Sequence, residues 1–137
     1  MEEKINYQKL LDEQLKTIKD TKPTLLLHAC CAPCSSYVLE YLNDYFDITL
    51  YFYNPNISPE NEYIFRANEL KRLAHEMNLA DTVKIIIPEY AHNEYTGIAL
   101  GKENEPERGS RCTECYSLRL QKTFEYAESN KFDYFST

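Results

Sequence analysis

The sequence predicts an α/β fold, a single domain built on a parallel β-sheet. Short apolar runs alternate with helical segments in the order α-βα-βα-βα-β, which is typical of such sheets. The runs are apolar at consecutive positions, as expected for strands that are covered on both faces. The 137 residues suit one domain. We divide the chain into an N-terminal amphipathic helix, residues 1–23, and an α/β domain, residues 24–137.

The first half of the chain predicts two helices and two strands. Residues 5–20 have apolar side chains near helical spacing, and Pro23 ends this helix. Residues 24–29 form a continuous apolar run and predict the first strand. A helix over residues 35–45 follows, with a proline near its first turn, where the missing N–H costs little. Residues 48–53 predict the second strand.

The second half predicts two more helices and two more strands. Ser58 and Pro59 are good residues to begin a helix, which we extend to about residue 78. A strand over 83–88, a helix over 113–130 and a strand over 132–136 complete the pattern. The polar residues 89–111 predict an irregular loop, and a loop of this length in a small domain is usually functional or mobile.

Chemistry-bearing residues follow the predicted strands. Residues 30–34 come after the first strand, Asn54 to Asn56 after the second, and the long loop after the third. The carboxyl ends of parallel strands share one edge of the sheet, and ligands bind at that edge. We therefore expect these three loops to form one crevice.

The five cysteines form two groups, and each group lies where a helix is predicted to begin. Cys30, Cys31, Cys112 and Cys115 supply four thiolates, enough for zinc or for an iron–sulfur cluster. Cys34 is a fifth thiol, which suits a second metal or a redox role better than a closed four-ligand zinc site. A thioredoxin-like dithiol of Cys31 and Cys34 is the competing interpretation, but it leaves the other three without a role.

Composition limits the class of protein. Residues 1–24 lack the apolar segment of a secretory signal, and no apolar run reaches the length of a membrane span, so we predict a cytoplasmic protein without a membrane partner. The net charge of −7 excludes a generally basic nucleic-acid surface. Three glycines cannot build a Walker or dinucleotide loop. A local cationic patch of Lys102, Arg108, Arg111 and Arg119 is one interpretation, and the other is that these are solvated cations that offset neighbouring glutamates.

Four blocks of sequence carry a family resemblance over roughly residues 24–137. They are His28–Ser35, Phe52–Ile57, Glu62-Tyr63 with Arg66, and Glu105–Cys115 followed by Arg119-Leu120. In this order they resemble the QueH-type epoxyqueuosine reductases. The resemblance implies an adenine-nucleotide alpha hydrolase-like (HUP), Rossmann-like layout without the nucleotide loop. It also implies an oxidoreductase that deoxygenates epoxyqueuosine to queuosine at the tRNA wobble position, with two electrons from an external donor.

The same resemblance implies the cofactor and its ligands. A [4Fe–4S] cluster is expected at Cys30, Cys31, Cys112 and Cys115, with an additional iron beside it. Cys34 is the residue that we expect to join this iron, and we assign it the catalytic position. An iron of this kind would act as a Lewis acid toward the epoxide oxygen.

The remaining residues of these blocks are candidates for substrate contact. Asn54, Asn56, Tyr63 and Arg66 are expected to shape the wall of the crevice, and Arg66, Arg108 and Arg111 to meet phosphate or the modified base. Each has a plainer structural interpretation, because Asn54-Pro55-Asn56 is also a good turn and Tyr63 and Arg66 could brace the loop.

This sequence departs from the family pattern in one respect. Family members usually continue further and carry another close cysteine pair, thought to form a redox-active disulfide, whereas this sequence ends at Thr137. We expect a fragment or a shortened relative that holds the metal, and the sequence leaves open whether it turns over without that cysteine pair. Two alternatives from other classes remain: a zinc-stabilised, non-catalytic tRNA-binding module, and a thiol–disulfide oxidoreductase acting through Cys31 and Cys34.

Overall fold

The computed structural model describes residues 3–137 and confirms an α/β chain. Every predicted element is present, with ends that differ from the prediction by about a turn or less, and one helix is added. The elements are helix α1 (Tyr7–Ile18), strand β1 (Thr24–His28), helix α2 (Ala32–Leu42), strand β2 (Asp47–Tyr51), helix α3 (Glu60–Glu76), strand β3 (Lys84–Ile86), helix α4 (His92–Ala99), helix α5 (Ser110–Ser129) and strand β4 (Tyr134–Ser136).

The strands form one sheet in which all pairs are parallel, in the order β3-β2-β1-β4. This confirms the predicted parallel sheet. Strand β1 is central, because it pairs with β2 along Thr24–His28 and with β4 along Leu25–Leu27. The loops after β1, β2 and β3 therefore leave the sheet at the same edge, and this edge carries the candidate site.

Consecutive residues of the central strands point to opposite faces, and both faces are covered. Leu25, Leu27 and Leu50 belong to the larger core, which also contains buried residues of α2 and α3. Leu26 and Tyr51 belong to a smaller core on the other face, with Ala127 of α5. The strands are apolar at consecutive positions because their side chains alternate between the two cores, so both faces are buried.

Helix α1 is amphipathic in sequence but only partly covered. Leu15 is buried in the larger core, and Ile18 packs against it. Ile5, Leu10 and Leu11 remain exposed. The predicted helix is confirmed, while the division between residues 1–23 and 24–137 stays a prediction. Within residues 3–137, no helix combines the length and the apolar character that crossing a membrane requires.

The prediction of an irregular segment over residues 89–111 is wrong in part, because it contains α4. None of its residues is fully buried, and its partly buried apolar residues Tyr95, Ile98 and Ala99 span little more than one turn, which is too short a stripe to predict a helix. It is held by contacts from other segments. His92 Nδ1 donates to the Pro55 carbonyl over 2.6 Å, and its ring stacks on Tyr90 at a centroid distance of 5.9 Å. The remainder, residues 100–109, is irregular as predicted.

Helix α2 begins earlier than the sequence indicated. It starts at Ala32 rather than Ser35, with Cys31 in extended conformation as the N-cap. Pro33 falls in the first turn, where its ring is compatible with the helix and its missing N–H is not needed. Cys34 thus lies on the first turn of α2 instead of in the preceding loop.

Candidate metal and substrate site

The first cysteine group is compact. The sulfurs of Cys30, Cys31 and Cys34 lie within 4.8 Å of one another, and the Cys30 and Cys31 sulfurs are 4.0 Å apart. The extended Cys31 directly before α2 makes this corner, so adjacent residues that would diverge along a strand approach each other here. Three thiols at this separation can bind a metal ion.

The three thiols of this group differ in pKa. Burial acts to raise the pKa of Cys31, but hydrogen bonds from the thiol and the N–H of Cys34 prevail and lower it. The hydrogen bond to Cys31, together with the charge of that thiolate, raises the pKa of Cys34 to about 11. Burial, with a contribution from Cys31, raises the pKa of Cys30. The first thiolate of the group is therefore Cys31.

The second cysteine group lies on the first two turns of α5, where a carboxylate organises the start of the helix. Glu105 Oε2 accepts the Arg111 N–H over 2.9 Å, and both carboxylate oxygens are 2.7 Å from Ser110 Oγ. A side chain at Gly109 would bring its Cβ to 3.0 Å from the Pro106 carbonyl oxygen, so glycine fits there without displacing this loop. This turn fixes the position of Cys112.

The two cysteine groups share one cation. Within residues 3–137, the compact group does not extend to Cys112 or Cys115. Burial raises the pKa of Cys30 and of Cys115, and the charge of Arg119 opposes this rise at both thiols. Arg119 also donates from Nε to the Cys115 carbonyl over 3.4 Å. One guanidinium thus acts on both groups, while a single four-thiol ligand set stays a prediction.

A cavity of about 230 Å³ adjoins the second group. It has arginine, tyrosine, asparagine and cysteine side chains in its wall, and the lining residues are Asn56, Tyr95, Arg111, Cys112, Cys115, Tyr116 and Arg119. A separate cavity of about 220 Å³ borders the first group, and His28, Cys30, Cys34 and Thr137 are among its lining residues. Both cysteine groups therefore have accessible space beside them.

Asn54 and Asn56 have different positions. Asn54 is only 1% exposed, and its Nδ2 donates to the Ala29 carbonyl over 2.8 Å, so it ties the loop after β2 to the peptide before Cys30. Asn56 lines the cavity beside the second cysteine group. Both side-chain oxygens are buried and accept no hydrogen bond from the part of the chain that the structure describes. Such acceptors are uncommon in native proteins and point to a ligand or water.

Tyr63 and Arg66 also differ from each other. Tyr63 is 4% exposed, and its hydroxyl lies 2.6 Å from the Pro88 carbonyl and 3.2 Å from the Phe52 carbonyl. It braces the ends of β2 and β3. Burial raises its pKa to about 12. Arg66 is exposed and pairs with Glu62 over 2.8 Å, and its charge contributes to the lowered pKa of Cys31.

The predicted cationic patch is split. Arg111 and Arg119 line the cavity, and Nη1 of Arg111 lies 3.4 Å from the Glu103 carbonyl and 3.5 Å from that of Lys102. Arg108 is exposed on the preceding loop with a positive φ of 69°. The Lys102 ammonium pairs with Glu114. Two of the four cations therefore face the candidate site directly.

Sequence reasoning missed three groups near the site. Tyr95 lines the cavity from α4, and Tyr116 from α5. The Tyr53 hydroxyl donates to Glu94, a residue of α4 whose carboxylate lies 3.8 Å from the Lys122 ammonium. No signal pointed to α4 itself. Tyr116 could have been found from its place beside Cys115, the second cysteine of the motif.

Comparisons with known proteins show the family of this chain. The family described as Epoxyqueuosine reductase QueH matches residues 25–137. The Epoxyqueuosine reductase QueH of Streptococcus pyogenes serotype M1 is 42% identical over 139 residues, covering 98% of this chain and 54% of that protein. The protein of the same name from Staphylococcus epidermidis is 40% identical over 141 residues, covering 98% and 59%. That of Haemophilus influenzae is 41% identical over 121 residues, covering 88% and 48%. The chain spans about half the length of the curated relatives it matches, and it belongs to the epoxyqueuosine reductase QueH family.

Proposed function

We propose that this protein is an epoxyqueuosine reductase, which removes the epoxide oxygen of epoxyqueuosine at the wobble position of tRNA. The observation that carries the proposal is the compact group of Cys30, Cys31 and Cys34 in a chain of this family. The reaction converts an epoxide into a carbon–carbon double bond and releases water. It consumes two electrons and two protons, so an external electron donor is required.

We propose that Cys30, Cys31, Cys112 and Cys115 hold a [4Fe–4S] cluster, and that Cys34 joins an additional iron. The donor set supports this choice, since soft thiolates suit iron–sulfur clusters or zinc and do not suit magnesium or calcium. His28 is close in sequence, but its Nε2 is engaged with the Tyr53 carbonyl at 2.7 Å. When bound, an iron–sulfur cluster supplies electrons one at a time.

The protein's own groups would hold and orient the substrate. Asn56 and Arg111 line the cavity beside the second cysteine pair, which supports direct contact with the modified nucleoside. Arg66 and Arg108 are exposed, which suits contact with tRNA phosphates. Asn54 and Tyr63 are buried, and their hydrogen bonds support the wall of the crevice from behind.

We further propose a Rossmann-like layout of the adenine-nucleotide alpha hydrolase (HUP) kind, and a cytoplasmic location. The strand order β3-β2-β1-β4 is that of the first four strands of the doubly wound fold, and Cys30 follows β1, where the order reverses. Five free thiols support a reducing compartment, because clustered cysteines are usually oxidised to disulfides outside the cell.

A zinc-stabilised, non-catalytic tRNA-binding module is the second candidate, and one observation favours it. Two thiolates on one tetrahedral zinc, with Zn–S bonds of about 2.3 Å, lie about 3.8 Å apart. The sulfurs of Cys30 and Cys31 are 4.0 Å apart, near this value. The two candidates differ in whether sulfide is bound with the metal.

The test combines substrate conversion with metal analysis. The protein is purified anaerobically, reconstituted with iron and sulfide, reduced with dithionite, and incubated with tRNA that carries epoxyqueuosine. Mass spectrometry of the digested nucleosides should show loss of one oxygen, and Cys30→Ala should abolish it. Bound zinc without sulfide or conversion would favour the module. Reduction of protein disulfides that survives in Cys112→Ala and Cys115→Ala would favour the thioredoxin-like function.

A further inference from the structure

We propose that the cavity beside Cys112 and Cys115 is a slot for a nucleobase, and that Tyr116 supplies the ring on which the base stacks. This inference rests on the proposed function, since it names the part of the substrate that enters the site. It assigns roles to Tyr116 and Tyr95, which the blocks of family resemblance do not include, and to Arg119, to which the resemblance gave no role. Three independent features of the cavity support it.

The first feature is an aromatic ring that is open to solvent at the site. Tyr116 lines the cavity and is 62% exposed, so its ring is not used to build the core. The guanidinium carbon of Arg119 lies 4.8 Å from the ring centroid, a cation–π contact that orients the ring. Proteins that bind single-stranded nucleic acid use exposed rings of this kind to stack bases.

The second feature is an aromatic partner on a different helix. Tyr95 lines the same cavity from α4, and its ring lies 5.7 Å from that of His92. His92 is itself fixed to the Pro55 carbonyl, directly before Asn56. The two rings therefore reach the cavity from two different helices, α4 and α5.

The third feature is the polar lining. Asn56 lines the cavity, and its buried side-chain oxygen accepts no hydrogen bond within the described residues, so an unpaired acceptor lies at this wall. Arg111 and Arg119 are the charged residues of the lining, and no carboxylate joins them in the described part of this wall. This local excess of positive charge stands out in a chain with 22 acidic and 15 basic residues. It favours a ligand whose negative phosphates lie near the two arginines and whose donor groups face Asn56.

The neighbouring thiols connect the slot to the chemistry. Cys112 and Cys115 line the same cavity, so a base that occupies it lies beside these two proposed metal ligands. Tyr116 follows Cys115 directly in α5. The stacking ring and the second cysteine pair therefore stand on the same rigid helix, which fixes the distance between bound base and thiols.

The test measures binding of two RNA probes to the reconstituted protein under anaerobic conditions. The probes are fluorescein-labelled anticodon stem-loops, one with epoxyqueuosine at the wobble position and one with guanosine there, and the readout is fluorescence anisotropy. We expect wild-type protein to prefer the epoxyqueuosine probe. Tyr116→Leu should weaken binding of that probe about 10-fold, the order of one base stacked on one ring. Tyr116→Phe keeps the ring and should stay within about twofold.

Controls separate the slot from general effects. Tyr7 is 73% exposed on α1 and outside the cavity, so Tyr7→Leu should bind like wild type. Tyr116 is exposed, so all variants should retain the circular dichroism of the parent. An affinity for the epoxyqueuosine probe that stays unchanged in Tyr116→Leu would overturn the slot and leave the proposed function standing. Equal binding of both probes by wild-type protein would overturn both.

Discussion

Replacing Asn54 with alanine is the sharpest test of how the carboxyl edge is held together. Asn54 is 1% exposed, and its Nδ2 donates a hydrogen bond of 2.8 Å to the carbonyl oxygen of Ala29, in the peptide directly before Cys30. Asn54→Ala leaves this buried carbonyl without a donor, a loss of about 1–3 kcal/mol. The same change removes the unpaired Asn54 oxygen, which recovers part of the loss.

We therefore expect Asn54→Ala to lower the free energy of unfolding by about 1–2 kcal/mol. For a chain of this size the Tm should fall by about 4–8 °C. The assays are thermal and urea unfolding followed by circular dichroism. Bound iron after reconstitution should fall as well, because the peptide before Cys30 is released from its hydrogen bond.

The matched control is Asn93→Ala, which removes the same side chain from an exposed position on α4. Its unfolding free energy should stay within about 0.5 kcal/mol of the wild type. An Asn54→Ala protein that unfolds like this control and retains its iron would refute the assigned role of Asn54.

Three further predictions follow from the geometry around the site. Tyr63→Phe removes the hydroxyl that braces two carbonyls and should cost about 1–2 kcal/mol in urea unfolding, and an unchanged midpoint would contradict this role. Gly109→Ala should destabilise by about 1 kcal/mol because of its contact with Pro106, whereas Gly97→Ala, with open space on a helix, should stabilise by about 0.5–1 kcal/mol, and equal effects would refute the steric argument. Hydrogen bonds from Ser110 and from the Arg111 N–H lower the pKa of Glu105, so its contribution to stability is present above its unfolded pKa and is lost as the pH falls through the lower folded value. In urea unfolding across this acid range, the free energy of unfolding should depend less on pH in Glu105→Gln than in the wild type. Identical pH profiles of the two proteins would contradict this linkage.

The sheet, and the edge that carries the candidate site, could be predicted from the sequence because their signals are local. Continuous apolar runs such as residues 24–29 arise where a strand enters two cores, and the cysteines follow such runs directly. The prediction of converging loops is supported by hydrogen bonds from Asn54 to Ala29 and from His92 to Pro55. Spacing and strand order were sufficient for this level of detail.

The parts that escaped prediction depend on contacts between distant segments. Helix α4 has no buried residue, so its position comes from groups such as Pro55 that lie far away in sequence. Asn54 and Asn56 stand two residues apart in one turn, yet one is buried behind the wall and the other lines the cavity. Side-chain burial of this kind follows from the packed loops and not from residue type. Tyr116 was overlooked because an exposed ring has no periodic signature.

The central claim is that the two cysteine groups hold one iron–sulfur centre, and sulfide analysis tests it most directly. Iron, zinc and acid-labile sulfide are measured per chain after anaerobic reconstitution, together with the Mössbauer spectrum, for the wild type and for Cys112→Ala and Cys115→Ala. The account predicts about four sulfides per chain for a [4Fe–4S] cluster in the wild type, and loss of the cluster in both variants. Stoichiometric zinc without sulfide, or full cluster content in either variant, would contradict it.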